Sequence, residues 1–309
     1  MQVRFIDLCR YFGSTKAVDG ISFSFAHGQI FGFVGPNGAG KSTAMRILAT
    51  LDEPTSGDAT IDGISVVDYP EKAHRLIGYV PDNLPTHRDI SVHEYLDFFA
   101  RAYGIKGQKR HRVVEEIEEF CNLLGIREKF LNALSKGMKN RVSVARALIH
   151  DPPVLVMDEP ASGLDPRARI ELRELLRALA GQGKAILISS HILTELAEIC
   201  NGAVIIERGR ILCAGTLDEI MEQVGGARVL VIRALDQLQE IHKHLLETPY
   251  VDEVELVENR IEVSLSGSDE TISELLTDLV RARFPILEFT HQKKGLEEIF
   301  MNVTQGEVQ

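Results

Sequence analysis

Gly35-Pro-Asn-Gly-Ala-Gly-Lys-Ser-Thr43 fits the pattern G-x-x-x-x-G-K-[ST]. It follows the strand-like run Phe-Gly-Phe-Val and precedes a helical pattern, the context this motif requires. Its glycines allow successive backbone N–H groups to point inward as an anion-binding concavity. The helix that follows adds the positive end of its dipole. Lys41 supplies a mobile cation for the β- and γ-phosphates of a nucleotide, and Ser42 offers a hydroxyl to Mg²⁺. Gly35, Pro36, Asn37, Gly38, Ala39, Gly40, Lys41, Ser42 and Thr43 are therefore the candidate phosphate cradle. The competing reading is an incidental Gly-rich turn, which the flanking strand and helix argue against.

A second signal is Val154-Leu-Val-Met-Asp158-Glu159. An unbroken apolar run is the mark of a strand buried on both faces. A carboxylate at its end, Asp158, is costly unless a cation or donor satisfies it, and Mg²⁺ beside phosphates would do so. Glu159 follows at the strand mouth, where a second carboxylate can polarise an attacking water. A third apolar run, Ile186-Leu-Ile-Ser-Ser-His191, ends in a histidine placed to hydrogen-bond a γ-phosphate. Beside a phosphate loop these readings outweigh simple strand capping.

Outward from these runs, residues 1–35 read as strands, 36–50 as a turn and helix, 77–80 as a strand and 91–149 as mainly helical. The runs at 154–157, 185–189 and 203–207 alternate with helices, the pattern of an α/β domain with a parallel core sheet. Residues 226–309 change character, with the predicted order β-α-β-β-α-β of a ferredoxin-like α+β unit. A tight polar turn around Glu258 and Asn259 joins its central hairpin, and EQVGGA at 222–227 reads as the linker. The charge agrees with two units. Residues 1–225 carry 26 Lys+Arg against 29 Asp+Glu, a net −3, whereas residues 226–309 carry 8 against 16, a net −8.

The 309 residues are 44% hydrophobic and 26% charged, with a net charge of −11. That composition excludes disordered, collagen-like and disulfide-framework chains. No run approaches the 18 apolar residues of a membrane span. Arg4, Asp7 and Arg10 break the N-terminal stretch, so no secretory leader is expected. An acidic chain argues against nucleic acid as a partner. The one basic cluster, Lys106, Lys109, Arg110 and Arg112, reads as a solvated loop. Cys9, Cys121, Cys200 and Cys213 lack metal or disulfide spacing and fit a reducing compartment.

With these residues assembled, residues 1–222 resemble the nucleotide-binding subunit of an ATP-binding cassette (ABC) transporter. Tyr11 looks like the aromatic that stacks on adenine. Leu134-Ser-Lys-Gly-Met138 looks like the family signature LSGGQ, and Ser162-Gly-Leu-Asp165 resembles its D-loop. Lys136 and Met138 depart from the signature, while Ser135 and Gly137, which carry its phosphate contacts, are retained. Asp82 stands where the family usually has Gln. A carboxylate there, like the ending Leu296-Glu-Glu-Ile-Phe300, is similar to exporter and antibiotic-resistance ATPases with separately encoded permeases.

The resemblance implies a P-loop NTPase fold of ABC type over 1–222, with a helical subdomain at about 84–150, and an appended domain over 226–309. It implies an ATPase using ATP and Mg²⁺, with Lys41, Glu159 and His191 catalytic, and Ser42 and Asp158 holding the metal. Asp82 is a further metal candidate. Ser135 and Gly137 would serve the nucleotide of a second ATP-binding subunit in a homodimer or heterodimer. The dimer would drive an integral-membrane permease, as an exporter, from the cytoplasmic face of the membrane. The alternative is a soluble or regulatory ATPase of the same type, uncoupled from transport.

Overall fold

The computed structural model describes residues 2–84, 89–190, 199–216, 219–220, 228–257, 259–265 and 269–292. They fall into two compact units, the first reaching Ile220 and the second lying beyond it.

In the first unit, apolar residues alternate along β1 (Gln2–Phe12) and β2 (Thr15–Ala26), which form an antiparallel pair with Val3 opposite Phe25 and Phe5 opposite Phe23. One face of this sheet is thereby apolar. β3 (Ile30–Val34) is buried throughout and leads through the Gly-rich loop into α1 (Lys41–Leu48). The turn and helix expected over 36–50 divide at Lys41, because Gly35 to Gly40 form the loop itself.

β4 (Ser56–Ile61) and β5 (Ile64–Ser65) follow, then α2 (Pro70–His74) and β6 (Ile77–Val80). The helical stretch resolves into α3 (Val92–Ala102), α4 (Gly107–Phe120) and α5 (Lys136–Leu148). A capping box starts α3: Ser91 Oγ accepts the Glu94 N–H at 3.2 Å, and Glu94 Oε2 accepts the Ser91 N–H at 2.8 Å. Of the basic cluster read as a loop, Lys109, Arg110 and Arg112 sit on α4. Arg110 is there to pair with Asp97 of α3 at 2.6 Å.

β7 (Val154–Met157), α6 (Pro166–Gly181), β8 (Ala185–Ser190), β9 (Gly202–Glu207) and β10 (Arg210–Thr216) complete the unit.

These strands build two sheets. The antiparallel one has the order β2-β1-β4-β5, and the larger one has the order β10-β9-β3-β8-β7-β6. The core of the larger sheet is parallel, as the unbroken apolar runs required, but its edge strand β10 is antiparallel to β9. One hydrophobic cluster joins both sheets to α1. It contains Phe5, Phe23 and Phe25 from the first sheet, Phe31 and Phe33 from β3, and Met45, Ile47 and Leu48 from α1. Phe5 and Phe23 stack at 4.3 Å between ring centroids. Burying each large side chain here stabilises by about 1.5–3 kcal/mol. Nearly every apolar side of α1 is consumed this way, so only its N-terminal end is left for chemistry.

The second unit contains β11 (Arg228–Ala234), α7 (Leu238–Leu246), β12 (Val251–Val257), β13 (Arg260–Leu265), α8 (Asp269–Arg281) and β14 (Ile286–Gln292). Its sheet is antiparallel with the order β12-β13-β11-β14. Leu230, Ile232, Ile261, Val263, Ile241, Leu245, Leu275 and Leu279 form its own fully buried core. The 222–227 segment and Leu296–Phe300 lie outside the described residues.

Candidate functional site

The loop between β3 and α1 is shaped by its backbone. Gly40 is the N-cap of α1 at φ +103°, and no side chain caps the helix. A Cβ on Gly40 would lie 2.1 Å from the Ala17 carbonyl oxygen, so only glycine fits. The N–H groups of Lys41, Ser42 and Thr43 thus carry the positive end of the helix without a side-chain acceptor from the cap. Gly35, Ala39 and Gly40 are buried, whereas Asn37, Gly38 and Ser42 are exposed and Pro36 and Thr43 half-buried. The loop closes on itself through the Ala39 N–H, which donates to the Pro36 carbonyl at 3.1 Å.

Lys41 is 5% exposed. Its Nζ donates to the Gly35 carbonyl at 2.7 Å and the Pro36 carbonyl at 3.2 Å, and lies 3.7 Å from Glu159 Oε1. Burial pushes the Lys41 ammonium below its ordinary pKa, while the charges of Glu159 and Asp158 oppose that shift. The cation and both carboxylates named from the sequence therefore meet at the carboxyl end of the central sheet.

Asp158 follows β7, held by its backbone N–H on the Val80 carbonyl at 2.8 Å. It is 7% exposed. Ser189 Oγ donates to Asp158 Oδ1 at 2.7 Å and accepts the Glu159 N–H at 2.7 Å. Glu159 sits at φ +47°, a left-handed conformation that a non-glycine residue adopts only when its surroundings impose it. Ser189 is part of that constraint, and the sequence reading did not single it out. The available signal was a pair of serines closing an otherwise apolar buried run.

The signature residues start α5. Ser135 is its N-cap, with Oγ accepting the Met138 N–H at 3.3 Å, and it is exposed. Gly137 is packed so that a Cβ would meet Ala168 of α6 at 3.4 Å. Asp165 caps α6 by accepting the Ala168 N–H at 2.9 Å. Along α5, Asn140 Nδ2 donates to the Pro160 carbonyl at 2.8 Å and Arg146 Nη2 to the Tyr79 carbonyl at 2.6 Å. The signature helix is thus bonded both to the loop after Glu159 and to the strand that leads into Asp82.

Asp82 is exposed and accepts from Asn83 Nδ2 at 3.0 Å. It lines a cavity of about 290 Å³ together with Lys136, Lys139, Ser143 and Glu159. Tyr11, near the end of β1, is half-buried, and its hydroxyl donates to Asp19 Oδ1 at 2.6 Å. His191 lies outside the described residues.

The oxygen donors at this mouth are a hydroxyl, Ser42, and carboxylates, Asp158 and Asp82. This hard set suits Mg²⁺, which binds through one or two carboxylates plus phosphates and water. Among the described residues no three His, Cys, Asp or Glu side chains form a metal cage.

The ABC transporter family model matches residues 18–162, and the model for the C-terminal domain of DrrA1-3-like ATP-binding proteins matches residues 215–304. The chain is 33% identical over 303 residues to Nod factor export ATP-binding protein I of Ralstonia nicotianae, covering 97% of this chain and 93% of that one. It is 29% identical over 306 residues to linearmycin resistance ATP-binding protein LnrL of Bacillus subtilis, covering 95% of each. A solved ATP-binding subunit of an ABC transporter superposes with a TM-score of 0.67 at 32% identity, over 73% of this chain and 94% of that one. A dimeric cassette in a post-hydrolysis state with ADP and Pi superposes with a TM-score of 0.64 at 25% identity, over 70% and 98%. On this fold and with these relatives, the chain is a member of the ABC transporter family, an ATP-binding and ATP-hydrolysing subunit.

Proposed function

We propose that this ATPase powers a separately encoded membrane permease as an exporter, by closing and reopening a dimer of ATP-binding subunits around two nucleotides. The relatives' roles in Nod factor export and linearmycin resistance support export as the direction. No helix among the described residues is long and apolar enough to cross a membrane, so the reading calls for a permease partner and a peripheral place on the cytoplasmic face. Residues 1–222 would form the motor domain, with a helical subdomain at about 84–150, and residues 226–309 an appended domain without chemistry of its own.

The observation that carries the reading is the meeting of Lys41 with Glu159 at 3.7 Å, beside Asp158. Phosphoryl transfer requires little covalent work from a protein and much positioning of charge. The loop N–H groups and Lys41 would hold the β- and γ-phosphates. Glu159, one residue past Asp158, would orient the attacking water and take its proton. Tyr11 would stack on the adenine. His191 would contact the γ-phosphate, and Ser135 and Gly137 would serve the nucleotide of the second subunit, with Asp165 in the loop between sites. Ser42 and Asp158, with Asp82 as a further candidate, would hold Mg²⁺. When bound, the ion neutralises phosphate charge.

Glu159→Gln tests the central assignment. It should keep ATP binding within a few fold and lower turnover by about 10²–10⁴-fold. Normal turnover, or loss of binding, would remove Glu159 from the role of base. Co-purification of the chain with membranes from its own cells, in a fixed ratio to an integral-membrane protein, tests the coupling.

A further inference from the structure

We propose that Asp19 and Arg210 are positioning residues for the nucleotide base: they fix Tyr11, and through the backbone they fix it relative to the phosphate loop. The proposal rests on Tyr11 being the residue that stacks on adenine.

Tyr11 and Asp19 lie on opposite arms of the β1–β2 hairpin. The ladder there is irregular, with a register shift between Arg10 and Tyr11, and the Tyr11 backbone is held by pairing with Lys16 and by its N–H on Thr55 Oγ1 at 2.9 Å, neither of which orients the ring. Its hydroxyl instead donates to Asp19 Oδ1 at 2.6 Å. Arg210 of β10 donates two hydrogen bonds to the second Asp19 oxygen, from Nε at 2.9 Å and from Nη2 at 2.7 Å. Lys16 reaches the same carboxylate at 3.4 Å and 3.5 Å. Its Nζ also stands 5.3 Å from the Tyr11 ring centroid. A cation over one face of the ring leaves a base the opposite face.

The Asp19 side chain is 12% exposed although it collects three partners. The Tyr11 hydroxyl first, and Arg210 second, hold its carboxyl down at about 2. It is therefore a charged acceptor across the working range of the protein. Hydrogen bonds to a charged acceptor are the strong class.

The backbone extends this tether. Asp19 N–H donates to the Gly209 carbonyl at 2.8 Å, and Gly209 N–H donates to the Ala39 carbonyl at 3.0 Å. Ala39 belongs to the phosphate loop. Gly209, in the turn before β10, has φ +78°, and a Cβ on it would sit 2.7 Å from the Lys16 carbonyl oxygen. The turn is thus pressed onto the hairpin with no room for a side chain. A continuous path, Ala39 to Gly209 to Asp19 to Tyr11, holds the base-stacking ring and the phosphate cradle at one spacing. Stacking is worth most when the ring is already oriented, because less ordering cost falls on binding.

A merely structural ion pair would affect all ligands alike, whereas a positioning role affects only those with a base. The test is calorimetric titration of the purified chain with ATP and with inorganic tripolyphosphate, which lacks a base. Asp19→Asn and Tyr11→Phe should each weaken ATP by about tenfold and leave tripolyphosphate within twofold. The double variant should bind ATP no worse than either single, since both remove one interaction. Arg210→Gln should act in the same direction. Equal losses for ATP and tripolyphosphate would overturn the proposal. So would wild-type ATP affinity in Asp19→Asn and Tyr11→Phe while Tyr11→Ala binds poorly, and that result would leave Tyr11 as the base contact. Wild-type affinity in Tyr11→Ala would remove the base contact itself, and the positioning role with it. Tyr11→Phe keeps the Asp19–Arg210 pair, so it decides the matter if Asp19→Asn does not fold.

Discussion

Ser189 and Asp158 are joined by a 2.7 Å hydrogen bond at the mouth of the central sheet, and the same hydroxyl accepts the backbone N–H of Glu159 at 2.7 Å. One small side chain on β8 thereby sets the position of two carboxylates carried by the neighbouring strand end. Ser189 is fully buried, so neither bond is easily replaced by water.

Ser189→Ala should leave a buried N–H without its acceptor and a buried carboxylate without its donor, a cost of about 1–3 kcal/mol for each group. Steady-state hydrolysis should fall by tenfold or more, while ATP affinity changes by only a few fold. Thermal unfolding should move down by several degrees. Hydrolysis at the wild-type rate would mean that Ser189 does not hold the pair.

Gly40→Ala probes the phosphate loop. The added methyl would meet a backbone carbonyl at 2.1 Å in a conformation that strains any L-residue, so the loop must move. Strain of this kind costs about 1–3 kcal/mol before any clash is counted. ATP binding should weaken by more than tenfold. Gly125→Ala is the control: nothing lies within 4 Å of its added Cβ, and affinity should not change.

What was legible in the sequence follows from how local each constraint is. The loop from Gly35 to Gly40 between β3 and α1 could be read because its glycines stand in a short run between a strand pattern and a helix pattern. Val154 to Met157 could be read because a strand buried on both faces has no room for alternation. The second unit could be read because its strands and amphipathic helices each carry their own period. β4 was missed: Ser56-Gly-Asp-Ala-Thr-Ile61 buries only Ala59 and Ile61 fully, and backbone pairing to β1 holds it in place. The Asp19–Arg210 pair was also missed, since its partners are 191 positions apart and each alone is an ordinary surface charge. Ser189 lay between these cases, visible as an oddity but without a partner until the sheet brought β7 beside β8.

Ending the chain near Glu222 should give a soluble protein that binds ATP within a few fold of the full chain. Among the described residues, the cluster that holds α1 and the side chains packed on it reach no further than Ala214, and the second unit has a separate core. A cooperative thermal transition in the shortened chain checks this. Aggregation under conditions where the full chain is soluble would count against separable units.

The last prediction concerns Ser135. It caps α5 at an exposed position, so the helix dipole there points to a surface and is free to act on a nucleotide carried by another subunit. Consider dimers made from two differently tagged copies. With Lys41→Ala in one copy and Ser135→Arg in the other, a shared site puts both lesions in one nucleotide site and leaves the second intact. With both lesions in one copy opposite a wild-type copy, each site carries one lesion and neither works. A signature acting within its own chain predicts the reverse. ATP retained per dimer after rapid removal of free nucleotide distinguishes the two. The split arrangement should retain about one ATP and the combined arrangement none. More retention in the combined arrangement would rule out a site shared between subunits.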